Sequence, residues 1–135
     1  MVDAYLTVPG RKKLVVVEDD EETRELELFL LGSEGYQVVG VPDGRTAAET
    51  VKREAADLVI LDLMLPGKDG LTVLAELAQD PATIAIPVII VSAYVNAVGG
   101  RIALRKMPQV RRILEKPFDL TELLDVVARE LGTGA

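Results

Sequence analysis

Five short apolar runs recur along the chain, each bounded by charged or turn-forming residues. They are rich in β-branched side chains, and most are continuously apolar rather than alternating between apolar and polar positions. Runs of this kind predict strands that are buried on both faces, as in a parallel sheet. The predicted strands span residues 14–17, 36–41, 57–63, 87–91 and 110–115.

The segments between these runs have apolar residues at helical spacing. The predicted helices cover residues 21–31, 45–54, 71–78, 96–106 and 120–131. In the first helix, Leu26, Phe29 and Leu30 are predicted to share one face. The fourth helix is weakened by Gly99 and Gly100, because each glycine in a helix interior costs about 1 kcal/mol relative to alanine.

Two of the predicted helices carry a clear inward face. In the second helix it consists of Ala47, Ala48 and Val51. In the closing helix it consists of Leu120, Leu123, Leu124, Val127 and Leu131. Asp119 or Thr121 can cap the start of this closing helix, and Gly132 ends it.

The regular alternation of strand and helix predicts the fold class. Apolar strands separated by amphipathic helices indicate an α/β protein whose parallel sheet is covered on both faces. Right-handed crossovers then give a single doubly wound, five-stranded, flavodoxin-like sheet in the order 2-1-3-4-5. We expect one domain over residues 12–132, with short tails at 1–11 and 133–135.

Composition narrows the function. The 135 residues carry a net charge of −7, which argues against direct binding to nucleic acid. The chain has no cysteine and no histidine, which excludes thiolate chemistry, histidine-based triads and the common zinc sites. With neither a signal-peptide pattern nor a long apolar stretch, we expect no membrane association and a cytoplasmic location.

Polar residues stand at the carboxyl ends of the predicted central strands, where doubly wound sheets bind ligands. These residues are Glu18, Asp19 and Asp20 after the first run, Asp62 in the third, Ser92 after the fourth and Lys116 after the fifth. Each alone has an ordinary structural explanation, such as a helix start or a solvated strand end. Together they place several functional groups at one edge of the sheet.

The chemistry of this edge centres on Asp62, which lies within the apolar segment LVILDLML. A carboxylate in such surroundings is costly to bury unless it is paired or binds a metal. Glu18 and Asp19 beside it would repel it, and a hard divalent cation such as Mg²⁺ would relieve that repulsion. Lys116 adds a positive charge and Ser92 a hydroxyl, so the set suits formation of an aspartyl phosphate.

At this point the sequence resembles the receiver domains of two-component response regulators. The matching segments are LVVVEDD (14–20), DLVILDLMLPGKDG (57–70), PVIIVSA (87–93) and EKPF (115–118). The resemblance covers about residues 12–132, and the four motifs occur in the family's order. It implies a phosphorelay protein that accepts a phosphoryl group with Mg²⁺ and signals by phosphorylation-dependent protein binding.

The resemblance also implies a role for each matching residue. Asp62 corresponds to the phosphoacceptor, and Glu18 and Asp19 to the acidic pair around Mg²⁺, with Asp19 as a direct ligand. Met64 corresponds to the residue whose backbone carbonyl binds the metal. Ser92 matches the hydroxyl that moves toward the phosphoryl group, and Lys116 the lysine that pairs with it. The bond between Lys116 and the following proline is expected to be cis.

The implied partners are a sensor histidine kinase or a histidine phosphotransfer protein, and a downstream protein target. The target would bind the face formed by helix 4, strand 5 and helix 5, with the chain a monomer or a phosphorylation-dependent dimer. Residues 101–116 include six basic residues and one acidic residue, a net charge of +5, which suits an acidic partner. Ile113 stands where receivers commonly carry an aromatic residue, and residues 105–112 replace a usual Gly-Ala segment.

Other functions stay open at this stage. A pseudo-receiver would use the same fold only for binding and would not be phosphorylated. A dehalogenase-type phosphatase also forms an aspartyl phosphate, but it needs a second acid where this chain has Met64. A flavodoxin-type flavin protein would need a phosphate-binding loop where the acids follow the first strand. We expect no enzyme activity beyond self-phosphorylation and autodephosphorylation.

Overall fold

A five-stranded parallel sheet forms the centre of the chain. The computed structural model describes residues 11–93 and 100–133. The strands are β1 (Lys13–Val17), β2 (Gln37–Val41), β3 (Leu58–Asp62), β4 (Val88–Ser92) and β5 (Val110–Glu115). Their order is β2-β1-β3-β4-β5, and all four neighbouring pairs are parallel. The predicted flavodoxin-like topology is therefore confirmed.

Five helices connect and follow the strands. They are α1 (Glu21–Ser33), α2 (Ala47–Glu54), α3 (Gly70–Gln79), α4 (Gly100–Arg105) and α5 (Leu120–Leu131). Three of them begin after an aspartate whose carboxylate accepts a hydrogen bond from a backbone N–H of the first turn: Asp20 before α1, Asp69 before α3 and Asp119 before α5. These caps satisfy amide groups that have no partner within the helix, and each stabilises its helix by about 1 kcal/mol.

The core consists of two clusters, one on each face of the sheet. Val15, Val17 and Leu61 belong to the cluster that also includes residues of α2, α3 and α4. Leu14 and Val16 belong to the cluster that includes residues of α1 and α5. The strand side chains alternate between the two faces, and burial of each large aliphatic side chain contributes about 1.5–3 kcal/mol.

The buried side of the first helix is not the side that carries Leu26 and Phe29. Leu26 and Phe29 are 47% and 71% exposed, whereas Glu27 and Leu31 are buried. The helix α1 has apolar residues on more than one side, and a carboxylate occupies part of the side that is buried. Glu27 precedes Leu31 by four residues, so the two share the face that packs on the sheet.

The other helical faces agree with prediction. Ala47 and Val51 of α2 are fully buried, as are Leu123 and Val127 of α5. Gly132 has the left-handed conformation (φ 67°) that commonly ends a helix. The predicted start of the fourth helix at residue 96 lies outside the described residues.

Three further observations bear on the sequence predictions. The Lys116–Pro117 peptide bond is cis, as expected. Among the described residues, no helix combines the length and apolar character needed to cross a bilayer. The predicted domain limits, 12–132, enclose every described strand and helix, and most of each predicted tail lies outside the described residues.

Candidate functional site

The carboxyl edge of the sheet brings the predicted site residues together. Glu18 follows β1 directly, Asp62 and Ser92 are the last residues of β3 and β4, and Lys116 follows β5. Because the strands are parallel and adjacent, residues far apart in sequence meet at this edge. Of these side chains, those of Glu18, Asp62 and Ser92 are buried.

Asp62 is held by two hydrogen bonds. Its residue is only 4% exposed. Its Oδ1 accepts a hydrogen bond from the backbone N–H of Met64 at 2.9 Å, and its Oδ2 accepts one from Lys116 Nζ at 2.7 Å. A buried carboxylate needs such partners, and here they also fix its orientation toward the edge of the sheet.

Lys116 bridges two carboxylates. Its Nζ lies 2.7 Å from Asp62 Oδ2 and 2.7 Å from Glu18 Oε1, and its backbone N–H donates to the Ser92 carbonyl at 2.9 Å. Burial alone would lower the pKa of Lys116, but the hydrogen bonds and charges of Asp62 and Glu18 outweigh it and raise the pKa. The ammonium group therefore stays charged at neutral pH and offsets the two acids.

Glu18 is the most deeply buried of the three acids at this edge. Its residue is 1% exposed, its Oε2 accepts a hydrogen bond from the Asp20 N–H at 3.1 Å, and its own N–H donates to the Val41 carbonyl at 3.0 Å. Burial raises the pKa of Glu18, and the negative charge of Asp62 adds to that effect, although Lys116 opposes it. A second cation at this position would favour the ionised carboxylate.

The acids at this edge fit a divalent cation. Each of Glu18, Asp19 and Asp62 offers an oxygen, and these oxygens lie within 4.8 Å of one another. Asp19 is exposed, so water can complete the coordination shell, as Mg²⁺ prefers. Asp20 is used differently: its carboxylate accepts hydrogen bonds from the N–H and hydroxyl of Thr23 and caps α1.

Two other predicted residues lie at the same edge. Met64 follows Asp62 by two residues, its N–H bonds to that carboxylate, and its side chain is about half exposed. Ser92 is fully buried at the end of β4, one residue beyond Val91, which pairs with Asp62 of β3 in the sheet. Ile113 is partly buried and packs against the core cluster on the α2–α4 face.

The connection after β3 lies very close to Asp62. A Cβ atom added to Gly70, the first residue of α3, would lie 2.4 Å from the carbonyl oxygen of Asp62. The Gly70 N–H donates to the Leu63 carbonyl at 3.0 Å. Glycine at this position therefore allows α3 to begin directly against the backbone of Asp62.

Glu27 was not among the site residues predicted from the sequence. It is 1% exposed, and neither of its carboxylate oxygens has a hydrogen-bond partner within the described parts of the chain. Burial raises its pKa to about 7, with the charges of Glu18 and Asp62 adding to the effect and Lys116 opposing it. The available signal was its position four residues before Leu31, inside an apolar stripe.

Comparison with known proteins shows to which family the chain belongs. A sequence model described as "Response regulator receiver domain" matches residues 14–128. This chain belongs to the response-regulator receiver family. Its acidic cluster lies where receivers carry their phosphorylation site, and the matched family is neither that of the dehalogenase-type phosphatases nor that of the flavodoxin-type flavin proteins.

Named relatives carry similar receivers within longer proteins. The chain is 38% identical over 120 residues to the transcriptional activator protein PfeR of Pseudomonas aeruginosa, covering 89% of this chain and 37% of PfeR. It is 34% identical over 122 residues to the sensory transduction protein RegX3 of Mycolicibacterium smegmatis, covering 90% of this chain and 51% of RegX3. The receiver therefore spans about half or less of these two relatives.

Solved receiver structures have the same fold. The signal receiver domain of a LuxO repressor protein from Vibrio parahaemolyticus gives a TM-score of 0.81 at 30% identity, covering 90% of this chain and 91% of that one. The receiver domain of the sensor histidine kinase PA1611 from Pseudomonas aeruginosa gives 0.78 at 27% identity, covering 91% and 99%. That second structure has a magnesium ion coordinated in its active-site cleft.

Proposed function

We propose that this receiver accepts a phosphoryl group on Asp62 and signals through phosphorylation-dependent protein binding. The observation that carries the proposal is the position of Lys116 Nζ, 2.7 Å from Asp62 and 2.7 Å from Glu18, beside a third carboxylate from Asp19. An ammonium group shared between acids at one sheet edge is arranged to receive an anion.

The reaction proposed is an in-line displacement at phosphorus. One carboxylate oxygen of Asp62 forms the new bond, the bond from phosphorus to the donor breaks, and the donor atom leaves with the electron pair. Lys116, already paired with Asp62, neutralises the added negative charge, and the Ser92 hydroxyl, one residue beyond the β4 residue that pairs with Asp62, donates to a phosphoryl oxygen.

Mg²⁺ is the cofactor we propose, held by Glu18, Asp19 and Asp62 with the backbone carbonyl of Met64. When bound, it neutralises charge on the transferring phosphoryl group. The close oxygens of the three acids support this assignment. The magnesium ion in the PA1611 receiver belongs to that protein and is a precedent within the family.

The proposed donor is a sensor histidine kinase or a histidine phosphotransfer protein. The reaction is self-phosphorylation followed by autodephosphorylation, without turnover of a separate substrate. We propose that the chain acts in the cytoplasm, together with the kinase domain that would phosphorylate it. We propose no direct binding to nucleic acid or membrane.

The proposed output surface is formed by α4, β5 and α5. Arg105, Arg111 and Arg112 are exposed on it, and the basic excess of residues 101–116 suits an acidic protein partner or a phosphorylation-dependent dimer. Reversal of Arg111 and Arg112 to Glu should weaken partner binding or dimerisation. Unchanged association of the phosphorylated double variant would contradict this surface.

Phosphorylation by acetyl phosphate tests the main proposal and separates it from a pseudo-receiver. Wild type should be labelled with Mg²⁺ and not after chelation with EDTA. Asp62→Ala should not be labelled, whereas Asp125→Asn, which changes an exposed aspartate on α5, should be labelled like wild type. An unlabelled but folded wild type would favour the pseudo-receiver, and equal labelling of Asp62→Ala would contradict the site assignment.

A further inference from the structure

A cavity of about 330 Å³ lies beside Lys116. Its wall includes Thr23 and Glu27 from α1, Phe118 from the β5–α5 connection and Leu120 from α5, together with Lys116 itself. Lys116 thus belongs both to this cavity and to the phosphoacceptor site. Whatever acts on its ammonium group from the cavity side also affects Asp62.

Glu27 is the unexplained group in this cavity. Its residue is 1% exposed and both carboxylate oxygens lack hydrogen-bond partners within residues 11–93 and 100–133. The Thr23 hydroxyl, also in the wall, donates to Asp20 at 2.6 Å and is not available to Glu27. A buried carboxylate without partners is costly, so a nearby donor should attract it.

Lys116 is the donor that can meet this need. An ammonium group has three protons, and within the described residues Lys116 Nζ donates to two carboxylates, those of Glu18 and Asp62. The other residues of the cavity wall, Ala93, Pro117, Phe118 and Leu120, have no side-chain hydrogen-bond donor.

The charges around Glu27 come from three elements. Glu18 at the end of β1 and Asp62 at the end of β3 repel its negative charge, and Lys116 from the β5–α5 connection attracts it. The wall contributed by α5 is apolar. Glu27 therefore responds to any change of charge on Asp62, although it makes no hydrogen bond with that residue.

We propose that Glu27 is a positioning residue that acts through Lys116, and that its carboxylate opposes the phosphorylated state. This inference rests on the proposed function. A phosphoryl group increases the negative charge on Asp62 and draws Lys116 toward itself. An ionised Glu27 attracts the same ammonium group from the cavity side and repels the new charge. A neutral residue at position 27 should therefore bind a phosphoryl analogue more tightly.

Titration with BeF₃⁻ and Mg²⁺, followed by ¹⁹F NMR, tests the inference. At pH 8, Glu27→Gln and Glu27→Leu should both bind BeF₃⁻ about fivefold more tightly than wild type, and the difference should approach about tenfold at higher pH, which corresponds to a rise of one in the pKa of Glu27 on binding. Glu25→Gln removes an exposed charge from the same helix and should match wild type.

The pH profile separates charge from a merely structural effect. Wild type should approach the affinity of Glu27→Gln as the pH falls to 6, because protonation neutralises Glu27, and the two should diverge above pH 7. If the ratio of the BeF₃⁻ affinities of Glu27→Gln and wild type is the same at all pH values, the inference is overturned. It is also overturned if Glu27→Gln binds BeF₃⁻ no more tightly than wild type at pH 8.

Asp62→Ala, which should bind no BeF₃⁻, distinguishes failure of this inference from failure of the proposed function. If wild type binds BeF₃⁻, Asp62→Ala does not bind it, and the Glu27 variants bind it as tightly as wild type, then only the proposed role of Glu27 is wrong. If wild type does not bind BeF₃⁻ or binds it no better than Asp62→Ala, the proposed function and this inference both fail.

Discussion

Replacement of Glu27 by glutamine should make the protein more stable above neutral pH. Glutamine has almost the same shape as a protonated glutamate, so the substitution mimics the neutral form of the side chain without leaving a cavity. The native structure buries this carboxylate without a hydrogen-bond partner among the described residues. The ionised form of Glu27 is therefore disfavoured in the folded state, whereas in the unfolded chain it is solvated by water and carries no such cost.

The size of the effect follows from the pKa of Glu27. Burial raises the pKa from its ordinary value of 4.5 to about 7. At about 1.4 kcal/mol for each pKa unit, this corresponds to ~3 kcal/mol as an upper limit. Between pH 4.5 and 7 the native state binds more protons at this position than the unfolded state does, so the stability contributed by the protonated form is lost as the pH rises.

Urea unfolding of wild type and Glu27→Gln at pH values from 4.5 to 8 measures this directly. The free energy of unfolding of the variant, relative to wild type, should rise across this range and level off above pH 7. Glu25→Gln, an exposed position on the same helix, should follow wild type throughout. A constant difference between Glu27→Gln and wild type, or a less stable variant at pH 8, would refute the reasoning.

Three further predictions concern the surroundings of Asp62 and the last helix. Gly70→Ala should lower the free energy of unfolding by about 1–3 kcal/mol, because its Cβ would lie 2.4 Å from a backbone oxygen. Gly32→Ala, whose Cβ would meet its nearest atom at 3.9 Å, should raise the free energy of unfolding by about 0.5–1 kcal/mol. Thermal unfolding measures both variants, and equal effects would contradict the close contact at Gly70. Lys116→Met should raise the affinity for Mg²⁺ about tenfold, because the ammonium group no longer competes for the acids. Calorimetry measures this affinity, and weaker Mg²⁺ binding would show that the acids need the lysine to remain in place. Asp119→Ala should cost about 1 kcal/mol in urea unfolding by removing the cap of α5, and an unchanged midpoint would mean that water replaces the cap.

Much of the fold could be predicted because continuous apolar runs and helical spacing alternate so regularly. The strand order follows from right-handed crossovers, and it determines which strand ends meet. Asp62, Ser92 and Lys116 could be identified because each stands directly after or at the end of an apolar run. Their proximity in the folded chain is a consequence of topology rather than of any one motif.

The first helix shows where the sequence pattern was insufficient. Its apolar residues occupy more than one side, so the pattern did not determine which side faces the sheet, and Leu26 and Phe29, which share a face, are exposed. Packing on β1 and β2 decides the orientation of α1 and places Glu27 inside. A glutamate in a helix is normally read as solvated, which is why its position near Lys116 could not be predicted.

The distribution of hydrogen bonds around Lys116 was also beyond the sequence. The resemblance to receivers implied a pairing with the phosphoryl group, but the structure adds that the ammonium group joins Glu18 to Asp62. That arrangement depends on the relative positions of side chains from three strands to within a few tenths of an ångström. The acids of the candidate site and the cavity with Glu27 therefore meet at one side chain.

The identity of the phosphorylated residue is the most direct test of the account. After reaction with acetyl phosphate and Mg²⁺, borohydride reduction converts an aspartyl phosphate to homoserine, which peptide mass spectrometry locates in the sequence. We predict homoserine at position 62 and unchanged aspartate at positions 19 and 20. Homoserine at either of those acids, or reduction at position 62 that does not depend on acetyl phosphate, would contradict the assignment of Asp62 as the phosphoacceptor.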